Sequence, residues 1–238
     1  MASKPAAPPA AVSAPSAAAH AALDFVEEGM TIGLGTGRAA TAFVEALGTR
    51  VADGLHVTGV PTSEATADLA RRLGIPLARL DEVARLDVTF DGADEVDPNL
   101  DVIKGYGAAM VREKIVALSS QRLVILVGPE KLVKRLGERG RLPIEVLPFA
   151  LPLVQRTLAD RGLESGLRLD AAGKPVGTDN GNLVLDARLA PPLDAAALER
   201  AIVALPGVLG TGFFLGLADA VIVGEGEAVE IRRRPPTR

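Results

Sequence analysis

The chain has 238 residues, 48% of them hydrophobic, and a formal net charge of −4, enough for one large α/β domain or for one that carries a smaller unit. The acidic balance argues against a nucleic-acid partner, which calls for a basic stripe, and six Phe, one Tyr and no Trp leave little surface for base stacking. The absence of Cys excludes a disulfide framework and fits a reducing, cytoplasmic compartment, and no apolar run reaches the roughly 18 residues of a membrane span.

Residues 1–17 (MASKPAAPPAAVSAPSA) hold no continuous Leu/Val/Ile block, so they predict a disordered tail and not a signal peptide. From residue 18 helical and strand patterns alternate. AAHAALDFVEEG (18–29) predicts a short helix closed by Gly29, and MTIGLG (30–35) a short buried strand. TGRAATAFVEALGTRV (36–51) predicts a helix that starts in a glycine-rich turn. The strand LHVTGV (55–60), the helix ATADLARRLG (65–74) and the strand LDVTF (86–90) follow. In AAMVREKIVALSS (108–120), Val111, Ile115 and Leu118 fall at i, i+4 and i+7 and predict one apolar helical face. RLVILVG (122–128) is continuously aliphatic, as in a strand covered on both sides. Strands alternating with helices predict α/β architecture with a mostly parallel, Rossmann-like sheet and right-handed crossovers.

A second rhythm starts near residue 138. LPIEVLP (142–148) predicts a strand, PLVQRTLADRG (152–162) a helix and GLRLD (166–170) a strand. PVGTDNGNLVLD (175–186) predicts a hairpin about Asn180-Gly181, LDAAALERAIVAL (193–205) a helix and GVLGTGFF (207–214) a strand. This β-α-β-β-α-β order predicts a ferredoxin-like α+β module. ADAVIVGE (218–225) and AVEIRRR (228–234) predict strands that rejoin the first sheet. The expected organisation is a tail over 1–17, a Rossmann-like catalytic domain over 18–137 plus 207–238, and an inserted small domain over 138–206.

Three segments carry chemistry. Gly33-Leu34-Gly35-Thr36-Gly37-Arg38-Ala39-Ala40 joins a strand to a helix, where backbone N–H groups and the helix dipole attract anions. It is either a plain tight turn or a phosphate cradle built from amides, the Thr36 hydroxyl and the Arg38 guanidinium. The dinucleotide fingerprint is disfavoured, because Pro61-Thr62-Ser63 stand where an acid is needed ~20 residues on. Asp91-Gly92-Ala93-Asp94-Glu95 follows the strand LDVTF, at the edge where parallel sheets bind ligands. The segment reads as a solvated acidic turn or as proton-trading carboxylates with Lys104 as their cation. A Mg²⁺ site ranks lower, since Lys104 already supplies positive charge. Arg112-Glu113-Lys114, alone, is an ordinary solvent-facing triplet.

Together these segments resemble the type A ribose-5-phosphate isomerase family. The run TFDGADEVDPNLDVIKGYGAAMVREKIVA (89–117) is similar to the family's signature throughout. GLGTG (33–37), PTSEAT (61–66), LGIPL (73–77), LPIEVLPFA (142–150), TDNGN (178–182) and PGVLGTGFFLGLADAVIVG (206–224) follow in the family's order. The resemblance implies interconversion of D-ribose 5-phosphate and D-ribulose 5-phosphate through an enediolate, in the non-oxidative pentose phosphate pathway, with no metal or organic cofactor. It also implies a homodimer or larger homo-oligomer whose partner is a small sugar phosphate. By position, Glu113 would move the proton between C2 and C1, Asp91 would assist ring opening, and Asp94 and Lys104 would hold the enediolate oxygens. Gly35, Thr36, Gly37, Arg38, Gly105, Gly107 and Lys131 would bind the substrate and its phosphate.

This chain departs from the family at several points. Arg38 and Ala39 stand where the phosphate loop usually continues Ser-Thr, and no Lys lies between Lys4 and Lys104. One guanidinium at Arg38 offers both charge and a bidentate fork in compensation. Tyr106 replaces a second Gly after Lys104, with its ring either on the sugar or turned away. Gly128-Pro129-Glu130 replaces the usual lead-in to Lys131. Thr62, Ser63 and Thr66 are either phosphate ligands or helix caps, and His20 and His56 read as ordinary positions. A sugar-phosphate sensor, an isomerase of another aldose phosphate, and a transferase or deaminase on the same fold class remain as alternatives.

Overall fold

The computed structural model describes residues 14–190 and 194–235. Of the tail expected over 1–17, residues 1–13 lie outside the described residues, while from Ala14 the chain is helical. This helix, α1 (Ala14–Ala22), starts ahead of the expected boundary for a physical reason. Ala is the strongest helix former, and its small side chain lets the helix lie against the sheet with Ala18, Ala19 and Ala22 fully buried.

The chain continues as β1 (Thr31–Leu34), α2 (Arg38–Ala52), β2 (Thr58–Pro61), α3 (Glu64–Arg72), β3 (Val88–Gly92), β4 (Glu95–Val96), β5 (Val102–Ile103), α4 (Met110–Leu118) and β6 (Leu123–Val127). After these come β7 (Arg141–Val146), α5 (Leu151–Asp160), β8 (Ser165–Leu167), β9 (Leu183–Arg188), α6 (Ala195–Val203), β10 (Val208–Thr211), β11 (Phe213–Phe214), β12 (Ala220–Glu225) and β13 (Ala228–Arg233).

The large sheet has the order β13-β12-β6-β3-β1-β2 and is parallel throughout, except where the edge strand β13 pairs with β12. Its strands are aliphatic on both faces because two cores sandwich them. In β6, Val124 and Leu126 join the core under α1 and α2, while Leu123, Ile125 and Val127 join the opposite one with Met110 and Phe214. Burying each such side chain contributes about 1.5–3 kcal/mol. The rings of Phe43 on α2 and Phe90 on β3 lie 4.2 Å apart between centroids, which clamps the start of α2 over the end of β3.

The small sheet has the order β10-β7-β9-β8, all antiparallel. With α5 and α6 in their places along the chain, this is the ferredoxin-like arrangement expected from the sequence. The turn at Asn180-Gly181 is also present, with Gly181 at φ +76° and its N–H donating to the Thr178 carbonyl.

Two expectations change. GVLGTGFF is not one strand: β10 pairs with β7 in the small sheet, and β11 pairs with β5 in a separate sheet of order β11-β5-β4. The break falls at Gly212, where an added Cβ would sit 2.2 Å from the Lys104 carbonyl oxygen. The small sheet therefore extends past the expected boundary at 206, through Thr211. On α4, the expected apolar face is largely outside, with Ile115 47% and Leu118 64% exposed. The buried face holds Met110, Glu113, Val116 and Ala117 instead. A short helix that points a carboxyl at the sheet edge gives up an apolar position to do so.

Candidate active site

Asp91 is the first acid at the carboxyl edge of β3, and its side chain is 1% exposed. Its Oδ1 accepts the backbone N–H groups of Gly92 at 2.7 Å and Thr36 at 3.2 Å. Gly35 permits this approach, since an added Cβ there would stand 2.3 Å from the Asp91 carboxyl carbon.

Lys104 follows β5 directly. Its Nζ lies 2.9 Å from Asp91 Oδ1, 3.3 Å from Glu113 Oε1 and 2.5 Å from the Gly92 carbonyl oxygen. An ammonium has three N–H bonds, and three oxygens face it here. Glu113, from the buried face of α4, keeps its other oxygen, Oε2, buried and without a partner among the described residues.

Burial is the largest influence on all three groups. It pushes the Glu113 carboxyl up, with the Asp91 charge adding and Lys104 opposing, to about 8. It also raises Asp91, against the pull of Lys104 and the two backbone donors. Burial alone would lower Lys104, yet the charges of Asp91 and Glu113 outweigh it and hold the ammonium above its ordinary value. Two buried carboxyls beside one ammonium leave one negative charge in excess, and a proton on Glu113 removes it.

A cavity of about 180 Å³ opens beside this trio at the carboxyl edge of the sheet, with Glu113, Lys104, Asp94, Gly105 and Gly107 on its wall. Asp94 Oδ2 accepts the Tyr106 N–H at 3.0 Å, and Asp94 Oδ1 lies 4.0 Å from Lys131 Nζ. At the other end Thr36, Gly37, Arg38 and Lys131 line the same space. Gly37 is the N-cap of α2 at φ +100° and provides no side-chain cap, so the first-turn N–H groups of a 15-residue helix stay open toward the cavity. Arg38 is exposed there and forms no ion pair among the described residues.

Not every expected residue meets the cavity. Asp91 and Gly35 lie behind its wall, and the Gly35 N–H is committed to the Phe90 carbonyl at 2.9 Å. The Thr36 hydroxyl is turned inward, 2.7 Å from the Thr62 hydroxyl and 2.8 Å from that of Ser63. Thr62 and Thr66 donate to the Leu34 and Gly35 carbonyls, and Ser63 donates to Thr66. The protons of this hydroxyl cluster are all used internally, so Thr36 has none left for a phosphate. Ser63 also caps α3 by accepting the Thr66 N–H.

Tyr106 turns its ring away from the cavity, under the Arg141 guanidinium at 3.9 Å. Sequence reasoning missed that stack and the neighbouring Arg168, which binds the loop after Lys104. The available signal was an Arg between two Leu in GLRLD, a charge set within a strand pattern.

The family model of ribose 5-phosphate isomerase A (phosphoriboisomerase A) matches residues 58–228. The chain belongs to this family. The ribose-5-phosphate isomerase A of Roseiflexus castenholzii is 54% identical over 217 residues, which cover 90% of this chain and 93% of the relative. Among solved structures, ribose 5-phosphate isomerase A from Methanocaldococcus jannaschii has a TM-score of 0.87 at 41% identity, covering 92% of this chain and 97% of that one. A D-ribose-5-phosphate isomerase in complex with phospho-erythronic acid has a TM-score of 0.89 at 41% identity, with coverage of 92% and 97%. Against the family pattern, the departures at Arg38 and Tyr106 fall on opposite sides of the cavity wall, one facing in and the other facing out.

Proposed function

We propose that this site interconverts D-ribose 5-phosphate and D-ribulose 5-phosphate through an enediolate, using side chains alone. The observation that carries this reading is Glu113, a carboxyl on the cavity wall with one buried oxygen that no group among the described residues satisfies. An open buried acceptor loses about 1–3 kcal/mol, and a base that must receive a substrate proton needs one.

Glu113 takes the C2 proton of the open aldose. The C2–H electrons become the C1–C2 double bond, and the C1 carbonyl becomes an oxyanion. Glu113 then delivers a proton to C1, the C2–O bond becomes the carbonyl, and the hydroxyl proton passes from O2 to O1. A positioned base is worth roughly 10²–10⁴-fold in rate. Lys104 sets its charge beside Glu113, on the side where the oxyanion forms, and Asp94 holds the oxygens across the cavity. Asp91, closed off behind Lys104, aims the ammonium and does not touch the sugar ring. The open N-terminus of α2, Arg38 and Lys131 hold the phosphate. Phospho-erythronic acid, which the relative above binds, carries a planar carboxylate where the enediolate forms, and this chain is expected to bind it too.

We infer further that the protein is a cytoplasmic homo-oligomer. Leu147, Phe149 and Leu153 of the small unit stand exposed, Phe149 at 94%. No described helix is long and apolar enough to cross a membrane.

The direct test is ketopentose formation from ribose 5-phosphate in EDTA. Turnover is expected to be unaffected by the chelator, and no turnover would overturn the reading. In the same assay Arg38→Ala is expected to raise KM about 10-fold, the weight of a charge-assisted hydrogen bond to phosphate. An unchanged KM would remove Arg38 from the phosphate site.

A further inference from the structure

Outside the trio of Asp91, Lys104 and Glu113, a well-bonded charged cluster joins the small sheet to the loop after Lys104. Arg168 follows β8, with its side chain 9% exposed. Its Nε donates to Asp186 Oδ2 at 2.9 Å, and its Nη2 donates to Asp186 Oδ1. Its Nη1 reaches the other way, donating to the carbonyl oxygens of Gly105 at 2.8 Å and Tyr106 at 3.1 Å. Asp186 also lies 3.5 Å from Arg141 Nε, and the Arg141 guanidinium covers the Tyr106 ring. The small sheet thus grips both the backbone and the side chain of residues 105–106.

The gripped loop is one that would not hold its shape alone. Gly105 has φ +105° and Ala108 has φ +64°, the latter a conformation sparsely populated by residues with a side chain. Such backbone persists only where the surroundings over-determine it. Lys104 stands at one end of this loop. Ala109, the N-cap of α4, stands at the other, one turn ahead of Glu113.

We propose that Arg168 is a positioning residue for the isomerisation: through the carbonyls of Gly105 and Tyr106 it fixes the distance between Lys104 and Glu113. The proposal rests on the roles given above to those two residues. Only Arg suits the position. Two parallel N–H bonds to a carboxylate and further donation to two carbonyls need a planar fork, whereas the ammonium of Lys offers three tetrahedral donors.

The test compares Arg168→Lys with the native protein in turnover, in competition by inorganic phosphate, in binding of phospho-erythronic acid and in melting temperature. Phosphate reports the anion end alone, while the acid also reports the geometry around the forming enediolate. Arg168→Lys is expected to lower kcat by about 10–100-fold with KM within about 3-fold, the scale of a sub-ångström to 1 Å misplacement. Affinity for phospho-erythronic acid should fall in step with kcat, and phosphate competition should stay within about 2-fold. Asp186→Asn, which leaves Arg168 one acceptor of its pair, should give the same pattern at smaller size and carries the test if the first variant does not fold. An unchanged kcat would overturn the proposal. So would a parallel loss of kcat, phosphate competition and melting temperature, which marks a purely structural residue. Lys104→Ala separates the two levels. If it keeps native turnover, the catalytic reading and this proposal fall together. If it loses turnover while both other variants keep theirs, only the role of Arg168 is refuted.

Discussion

As the proposed base, Glu113 would have to be ionised to take a proton and neutral to give one, and its surroundings set the balance between the two. Burial and the Asp91 charge hold its carboxyl up near 8 despite the ammonium beside it. For the free enzyme the base form therefore appears as pH rises, so kcat/KM is expected to climb through an apparent value near 8 and to fall on the acid side. A profile flat from pH 6 to 9 would contradict this. The same shift acts on stability. The folded value lies above the ordinary 4.5, so between 4.5 and about 8 the native state holds a proton that the unfolded chain has released. Stability from this group is lost as pH rises through that window and is constant above it. Glu113→Gln carries no such penalty, and Lys104 still keeps Asp91. At pH 8 the variant is expected to melt at least about 2–4 °C higher, the shift that 1 kcal/mol gives a chain of this size, while losing turnover. A lower melting point would show that the ionised Glu113–Lys104 pair stabilises the fold.

At the scale of elements, the site depends on how closely β1 and β3 bring their ends together. Gly35→Ala would drive a methyl to 2.4 Å from Asp91 Oδ1 and 2.6 Å from the Phe90 carbonyl oxygen. It is expected to lower stability by about 1–3 kcal/mol, as overpacking does, and to lower kcat by displacing Asp91 and with it Lys104. Denaturant midpoints and turnover check both. The sequence pattern identified GLGTG as the turn but not this use of Gly35, because a backbone contact with a carboxyl leaves no periodic trace. It also pointed to the wrong face of α4. Val111, Ile115 and Leu118 have helical spacing, yet Glu113 occupies the buried face, since a hydrophobic pattern cannot register a position reserved for an acid. DGADE and Lys104 were legible as candidates because ionisable residues after a buried strand are unusual, whereas Glu113, on a helix in a charged triplet, stood out only through the family resemblance. That Asp91 sits behind Lys104, and that the Thr36 hydroxyl is consumed by Thr62 and Ser63, follows only from three-dimensional hydrogen bonding.

For the whole molecule, the two sheets were legible from the alternation of strands and helices and from the β-α-β-β-α-β order. The third was not, because β4, β5 and β11 are two residues each and too short to carry a period. That short sheet is where the molecule converges. β5 delivers Lys104, and the Lys104 N–H donates to the carbonyl of Gly212, the residue at which the chain passes from the small sheet to β11. The large sheet supplies the edge that holds Asp91 and the end of the cavity lined by Gly37 and Arg38, and the small sheet grips the loop that carries Lys104 toward Glu113. On the proposed reading, this assembly lets Glu113 take a proton from C2, exchange it with solvent and deliver one to C1. The measurement that tests it most directly is deuterium incorporation at C1 and C2 when ribose 5-phosphate is incubated with the protein in D₂O and followed by NMR. The native protein is expected to label the sugar as it isomerises it, and Glu113→Gln to bind the sugar without labelling it. Labelling by the variant at the native rate would place the base elsewhere.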